Sequence, residues 1–168
     1  DYIDPHRDAA DVIFRIGELT DSSFHARIFG QQFYHLAASP AYLRKYGTPE
    51  TSDDIMRHKC LVYRGSSGPN RWLLRRPGEA WTHYPVTPLI SSNNAETLLI
   101  AALGGMGMVL FPDWLIGDRF QSGELVKLLP AWETSINTEP YNIAAIYPHT
   151  RHPPLNVRAV IDYYVEAF

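Results

Sequence analysis

Residues 91–114 constrain the fold of this chain more than any other stretch. They read SSNNAETLLIAALGGMGMVLFPDW, the pattern of a loop, a helix, a loop, a buried strand and a final loop. Asn93 and Glu96 have the spacing of a capping box, so the helix is predicted to begin at Asn93. Residues 98–103 are apolar without interruption, and the absence of a polar face predicts a buried helix rather than an amphipathic one.

Two glycines, Gly104 and Gly105, separate this helix from the strand that follows it. Glycine closes a helix readily because it adopts the left-handed conformation without a Cβ clash. Residues 106–111 are apolar apart from Gly107, which is typical of a strand covered on both faces in a parallel sheet. With a further strand predicted at residues 87–91, the whole stretch is interpreted as a βαβ unit.

The start of this helix is the first candidate for a binding site. The backbone amides of residues 94–96 have no acceptor within their own helix. They would point outward at the carboxyl edge of the sheet, where open α/β sheets bind ligands. The equal alternative is that the side chains of Asn93 and Glu96 satisfy these amides and that nothing binds.

The rest of the chain contributes simpler expectations. Ser39, Pro40 and Gly47 mark the ends of a short helix. Residues 26–38 are predicted to hold one or two strands, with a break expected at Gly30. Apolar residues at helical spacing in 157–168 predict an amphipathic terminal helix.

Composition excludes several classes of protein. The chain has 168 residues, enough for one domain with a core, and a formal net charge of -3, which makes it a poor nucleic-acid binder by itself. The single cysteine, Cys60, cannot form an internal disulfide and fits a reducing, cytoplasmic compartment. No apolar run approaches the ~20 residues that span a bilayer, and no signal peptide is visible, so no membrane association is expected.

Candidate catalytic and metal-binding residues are few. Cys60 lies in an apolar strand and is interpreted as a packing residue. His149 and His152 lack nearby cysteine or carboxylate partners, so no metal site is predicted. The four tryptophans are most economically assigned to packing. We therefore expect no catalytic residues, no cofactor and no enzymatic activity.

Five blocks of sequence occur in a distinctive order: ADVIFRIGELTDSSFHAR, HLAASPAYLRKYGTPETSDDIMRHKCLVYR, GMGMVLFPDWL, GELVKLLPAW and IAAIYPHTRHPPLNVRAVIDYYVE. In order and spacing these blocks resemble the effector-binding domain of LysR-type transcriptional regulators over nearly the whole chain. The resemblance implies a type 2 periplasmic-binding-protein-like α/β fold with two subdomains around a cleft. Subdomain I would comprise about 1–30 and 148–168, and subdomain II about 31–147. The family's DNA-binding domain and the first strand-helix segment of its effector domain have no counterpart here, so subdomain I is expected to be incomplete.

The resemblance also implies which residues contact the effector, because three loops line the cleft in this family. On this chain they are Arg15, Ile16 and Gly17, then Ser92, Asn93 and Asn94, then Leu110, Phe111 and Pro112. Arg64, at the end of the CLVYR strand, is a further candidate. An exposed or ion-paired arginine without a binding role is its equal alternative.

The function implied by the resemblance is that of a bacterial sensing module. A small-molecule effector, expected to be a carboxylate because of the helix start near Asn93, would modulate transcription. The effector domains would form a homo-oligomer, at least a dimer, with pairing altered by the missing segment. DNA would be bound only by the absent N-terminal domain. The alternative is a solute-binding protein of a transport system, and an enzyme on this fold ranks third.

Overall fold

The computed structural model describes residues 12–17, 24–65, 68–148 and 154–167. The strands are β1 (Ile13–Gly17), β2 (Phe24–Gln32), β3 (Tyr34–Ala38), β4 (Cys60–Gly65), β5 (Gly68–Pro69), β6 (Trp72–Arg75), β7 (Thr82–Tyr84), β8 (Pro88–Ser92), β9 (Met108–Pro112), β10 (Val126–Lys127), β11 (Glu133–Ser135) and β12 (Tyr141–Pro148). The helices are α1 (Pro40–Tyr46), the short 3-10 helix Ser52–Arg57, α2 (Ala95–Leu103), α3 (Asp113–Gln121) and α4 (Leu155–Ala167). Among the described helices, none combines the length and apolar character needed to cross a bilayer.

The chain divides into two compact units. Unit 1 comprises residues 1–32 and 139–168, and unit 2 comprises residues 33–138. The second boundary therefore lies between residues 138 and 139, whereas the sequence placed it near Tyr147. The physical reason is strand pairing, since β12 pairs along its length with β2 and over five residues with β1, and so belongs to unit 1.

Unit 1 is an antiparallel sheet in the order β1-β12-β2, with α4 packed against it. Val157 and Ile161 of α4 are buried against Ala145 of β12, which confirms the amphipathic terminal helix. The break expected at Gly30 is wrong, because β2 continues to Gln32 and the next strand begins at Tyr34. Gly30 instead lies at a register shift opposite β12, where a bulge bends the strand without ending it.

Unit 2 is built on a mixed sheet in the order β5-β4-β9-β3-β11-β6-β7, with β8 beside β4 and β10 beside β3. Strands β8, β4 and β9 are mutually parallel, and α2 connects β8 to β9 across β4. This arrangement confirms the predicted βαβ unit, although the remaining pairings are antiparallel rather than parallel. All five residues of β9 are buried, as expected for a strand covered on both faces.

The core of unit 2 occupies both faces of this sheet. On one face, Leu110 packs with Leu36, Trp72 and neighbouring residues of β3, β4 and β6. On the other face, Phe111 packs with residues of α2 and α3. Consecutive strand residues point to opposite faces, so β9 contributes to both clusters and joins them.

Helix α2 is buried on one side only. Leu98, Leu99 and Ala102 are buried, but Ile100 is 70% exposed, so the prediction of a helix buried all round is wrong. A helix that packs on a sheet hides one stripe, and an apolar sequence does not change that geometry. The glycines behave as predicted: α2 ends at Leu103, and Gly105 has a φ of +77°.

Three further expectations have clear outcomes. Helix α1 is capped by Ser39, whose Oγ accepts from the amide of Tyr42 at 3.3 Å, and it closes at Gly47. Cys60 is buried, and burial raises the pKa of its thiol to about 12, which confirms a packing role. Trp114 is 61% exposed, which contradicts its assignment to packing. The predictions for His149 and His152 lie outside the described residues.

Candidate functional site

The best-defined site in unit 2 is the carboxyl edge of its three parallel strands. Ser92, the last residue of β8, is paired with Tyr63 of β4, and Arg64 follows directly. β9 ends at Pro112. Because parallel strands end at the same edge of a sheet, Ser92, Arg64 and Pro112 lie along one border. Two of the three predicted loops and Arg64 thus come together within this unit.

Helix α2 begins at this edge, one residue later than predicted. Asn94 is the N-cap, and its Oδ1 accepts a hydrogen bond from the amide of Thr97 at 3.1 Å. The prediction that Asn93 caps the helix is therefore wrong. The cause is Ser92, whose Oγ accepts from the amide of Asn94 at 3.0 Å and forms a local turn before the helix. Glu96 is then the second helical residue, so the capping box cannot form.

Several polar groups stay available at this helix start. Within the described part of the chain, the amides of Ala95 and Glu96 have no acceptor, and the exposed carboxamide of Asn93 has no hydrogen bond. The amides of Asn94 and Thr97 are satisfied by the two bonds above. The Glu96 carboxylate lies in the first turn, where the helix dipole stabilises it and where it would repel an anion.

The other predicted residues of unit 2 differ in what their side chains offer. Arg64 is exposed and has no hydrogen-bond or ion-pair partner among the described residues, so its guanidinium is open to solvent. Leu110 and Phe111 are buried in the core clusters, and Pro112 is buried as the residue that precedes α3. These three can contribute backbone atoms at the edge but little side-chain surface.

The predicted residues of unit 1 lie at the end of β1. Arg15 pairs with Ala144 of β12, and Gly17 pairs with Asn142. The side chain of Ile16 is 47% exposed, while Arg15 is half-buried. These residues were predicted to form a loop, but in the structure all three belong to the last part of the paired strand β1.

Two exposed aromatic residues at the edge of unit 2 were not predicted. Phe33 is 57% exposed, and its carbonyl accepts from the amide of Asp113 at 2.8 Å, directly beside Trp114. The signal for Trp114 was present in the sequence, since Pro112 ends a strand and places the next two residues in the first turn of a helix at the sheet edge. No comparable signal marked Phe33.

His35 lies on β3 close to this edge, where it is paired with Phe111. Its pKa is lowered below the ordinary value, first by burial and then by Lys127, while Asp113 acts in the opposite direction. The imidazole is therefore neutral near pH 7. Of the residues that the structure describes, no three His, Cys, Asp or Glu side chains are placed to hold a metal ion.

Comparison with known proteins identifies the family. The LysR substrate-binding domain matches residues 4–168, almost the full length. This chain belongs to that family. The regulator CrgA of Neisseria meningitidis is 32% identical over 166 residues, which cover 98% of this chain and 54% of CrgA. An uncharacterized HTH-type transcriptional regulator of Haemophilus influenzae is 32% identical over 158 residues, which cover 94% of this chain and 53% of the relative.

A solved structure agrees with this LysR assignment. The regulatory domain of AphB from Vibrio vulnificus superposes with a TM-score of 0.80 at 30% identity, covering 99% of this chain and 78% of that one. The predicted fold class, a periplasmic-binding-protein-like α/β fold of the LysR type, is thereby confirmed. The chain spans about half the length of the curated relatives it matches. It is a LysR-type effector-binding regulatory domain, and its relatives are transcriptional regulators rather than enzymes.

Proposed function

We propose that this domain is the sensing module of a LysR-type transcriptional regulator and that a small effector binds at the carboxyl edge of β8, β4 and β9. The observation that carries this proposal is the family match over residues 4–168, together with relatives named as transcriptional regulators. The alternative of a transport solute-binding protein loses support for the same reason. The proposed role is binding without turnover.

The effector is proposed to be a small carboxylate. The unpaired amides of Ala95 and Glu96 face outward at the positive end of α2, and this end of a helix attracts anions. Arg64 has an uncommitted guanidinium at the same edge, and arginine can grip a carboxylate through two parallel hydrogen bonds. Glu96 opposes an anion here, so the ligand must be held by Arg64 strongly enough to outweigh that repulsion.

The remaining effector contacts are proposed by resemblance. Ser92, Asn93 and Asn94 supply polar groups at the helix start, and the backbone of Leu110, Phe111 and Pro112 supplies the floor at the end of β9. Arg15, Ile16 and Gly17, in unit 1, remain candidate effector contacts on the resemblance alone. Binding can act as a switch only if the effector favours one arrangement of the protein over another.

The first experiment is a thermal-shift screen of small carboxylic acids against this chain. A ligand that binds only the native state at 100 times its Kd adds about 2.7 kcal/mol of stability, which a melting curve detects readily. Calorimetry with the best compound then measures the Kd of variants. Arg64→Ala is expected to weaken binding roughly tenfold or more, and Asn93→Ala to weaken it less, because a charged hydrogen bond contributes more than a neutral one.

Two variants keep this test interpretable. Arg44→Ala removes an exposed arginine on α1, away from the edge, and should leave the Kd unchanged. Asn94→Ala removes the observed cap and should lower the free energy of unfolding by about 1 kcal/mol. If neither Arg64→Ala nor Asn93→Ala changes the Kd of an identified effector, the helix start is a structural cap and the proposed site is wrong.

The domain is further proposed to self-associate through unit 2. Ile100 on α2 is 70% exposed, and the exposed Met106 follows at the end of the same helix. An exposed apolar side chain of this size on a helix is a suitable anchor for an interface. Sedimentation velocity over a range of concentrations should show association that Ile100→Lys weakens. A monomer at every concentration would contradict this part of the proposal.

The other partners follow from the family. DNA contacts are proposed to lie in a part of the full-length regulator outside this chain, since the relatives are named HTH-type and are about twice as long. The full-length protein would work in the cytoplasm, where its DNA lies. A gel-shift assay should show no sequence-selective binding of duplex DNA by this chain, whose net charge is -3.

A further inference from the structure

A cavity lies in unit 2, at the amino end of β4 and so at the opposite end of that strand from the proposed effector edge. Its volume is about 590 Å³, within the range of small-ligand sites. It is formed where the end of α1 meets the 3-10 helix and the residues just before β4. The residues that matter for the argument are Tyr42, Tyr46, Glu50, Arg57, His58 and Lys59.

The hydrogen bonds at this cavity support one tautomer of His58. The backbone amide of Lys59 donates to Tyr42 Oη at 2.9 Å, so the hydroxyl oxygen is already an acceptor. Tyr42 Oη lies 3.0 Å from His58 Nδ1, and we assign its proton to that nitrogen. Burial lowers the pKa of His58, in keeping with a neutral ring. The remaining ring proton is then on Nε2, which makes His58 a hydrogen-bond donor at the cavity wall.

Two lysines, Lys45 and Lys59, place positive charge near this donor. Lys59 Nζ donates to Tyr46 Oη at 2.9 Å, and an ammonium has two further protons to give. Lys45 Nζ lies 5.2 Å from the centre of the Tyr46 ring, and the two lysines lower the pKa of the Tyr46 phenol, Lys59 through its hydrogen bond first. The negative end of the α1 dipole favours a lysine at position 45, in the last turn of that helix. Lys59 lies outside any helix, so a helix dipole does not account for its position.

One of the two acidic side chains at the cavity, that of Asp54, already has hydrogen-bond and ion-pair partners. Asp54 Oδ2 accepts from the amides of Glu50 and Thr51 at 3.1 and 2.8 Å and from the Thr51 hydroxyl at 2.9 Å. These bonds lower the pKa of Asp54 and hold its carboxylate against the backbone. Arg57 is 3.8 Å from the other oxygen of Asp54, with a largely exposed side chain. Glu50 is the cavity acid whose carboxylate has no partner among the described residues.

We propose that this cavity is a second ligand site, which binds a phosphate group through the ammonium of Lys59 and the Nε2–H of His58, with Arg57 at the mouth. A phosphate carries more than one negative charge near neutral pH and presents several acceptor oxygens, which suits two cations and a neutral donor. Lysine serves as a point charge in such sites, so the geometry needs no bidentate fork. This site is independent of the carboxylate proposal, because the two lie at opposite ends of β4.

The test is a titration of the chain with inorganic phosphate. The sodium chloride concentration is lowered as phosphate is added, so that the ionic strength stays constant. Backbone amide NMR signals of His58 and Lys59 should shift and saturate, while those of Ser92 and Asn94 should not move. A parallel titration with glycerol phosphate distinguishes two sources of the group. Tighter binding of the ester indicates a phosphorylated metabolite, and equal binding indicates free phosphate. Shifts that do not saturate overturn the proposal.

Charge variants give the sharpest check. Lys59→Gln should weaken phosphate binding roughly fivefold, the effect of losing one exposed charge contact of about 1 kcal/mol. Glu50→Gln should strengthen it, because that change removes the acid that repels the ligand. Lys127→Gln, a lysine on β10, is the matched control and should leave the affinity unchanged. Unaltered affinity in Lys59→Gln, or weaker binding in Glu50→Gln, overturns the proposal, and melting curves establish that each variant is folded.

Discussion

Units 1 and 2 bury their sheets in different ways. In unit 2, clusters on both faces of the sheet enclose residues such as Leu36, Leu74 and Ile116, which have no exposed surface. In the described part of unit 1, one small cluster joins α4 to β12. Large apolar side chains of β1 and β2, including Phe14, remain about half exposed. Among the described residues, most of the buried apolar side chains therefore belong to unit 2.

The two units are expected to differ in how easily they unfold locally. Regions with few buried apolar contacts open at a lower free energy than the core, as hydrogen exchange shows for many proteins. Unit 1 should therefore open locally while unit 2 stays folded. All four tryptophans, at positions 72, 81, 114 and 132, lie within unit 2. Tryptophan fluorescence is consequently a probe of unit 2 alone.

The largest expected effect comes from a pair of core truncations, one in each unit. Leu36→Ala removes a fully buried side chain from unit 2 and should lower its free energy of unfolding by about 3 kcal/mol. Ile161→Ala truncates the smaller cluster of unit 1 and should leave the fluorescence-detected urea midpoint nearly unchanged. Its cost should appear instead as faster amide exchange in β12 and α4. Equal shifts of the fluorescence midpoint in both variants would mean that the two units unfold together.

Much of unit 2 could be predicted from the sequence because its signals are local. Ser39 and Gly47 mark α1 by their position alone, and the apolar run of β9 predicts a strand buried on both faces. β11 could not be predicted, since Glu133–Ser135 has no apolar pattern and owes its structure to pairing with β3 and β6. The predicted helix start was one residue too early, because the sequence does not show that Ser92 Oγ accepts from the amide of Asn94. That turn leaves Asn94, and not Asn93, as the residue that caps the helix.

The candidate site was predicted unevenly for a related reason. Ser92, Asn94 and Arg64 were correctly assigned to loops or strand ends, and the parallel pairing of β4 with β8 brings them to one edge. Leu110 and Phe111 were offered as ligand contacts on resemblance, but a strand covered on both faces leaves no side chain for a ligand. The apolar pattern that identified β9 therefore already implied that both side chains belong to the core.

A pair of glycine substitutions sharpens the comparison with a smaller effect. A Cβ added at Gly107 in unit 2 would lie 2.7 Å from the backbone oxygen of Lys59 and 3.0 Å from Leu61 Cγ. Backbone cannot easily move aside, so Gly107→Ala should cost about 1–3 kcal/mol. A Cβ at Gly30 in β2 of unit 1 meets nothing within 4 Å, and Gly30→Ala should be neutral or stabilise by about 0.5 kcal/mol.

Urea denaturation of both variants, followed by circular dichroism and by fluorescence, measures these changes. Gly107→Ala should shift both signals, since β9 joins the two core clusters of unit 2. Gly30→Ala should shift neither to lower urea. A neutral Gly107→Ala would show that β9 and the residues before β4 are less tightly packed than their separation indicates, and would weaken the contrast between the units.

The smallest expected effect is a pH dependence confined to unit 2. Burial is the largest cause of the lowered pKa of both His35 and His58, with Lys127 adding to it at His35. The unfolded chain, with histidine pKa values near 6.5, then binds more protons than the folded chain at mildly acidic pH. The stabilisation is therefore complete above about pH 6.5 and is lost as the pH falls through the lower, folded pKa values.

Among the described residues, Asp54 and Glu124 are the carboxylates with lowered pKa values, and their stabilising effect is lost mainly below this window. The pKa of Asp54 is lowered from its ordinary value of 3.8, so the stability that depends on it is lost only at more acidic pH. Between pH 7 and 5, the fluorescence-detected free energy of unfolding should fall in the wild type and fall less in a variant carrying both His35→Gln and His58→Gln. Comparing slopes rather than absolute values removes packing losses that do not depend on pH. The Tyr42–His58 hydrogen bond needs the neutral ring as assigned, so its loss belongs to the pH-dependent part. An equal slope in the double variant would mean that the pKa values of these two histidines are not lower in the folded chain than in the unfolded chain. The packing around them in unit 2 would then be more open to water than their burial implies.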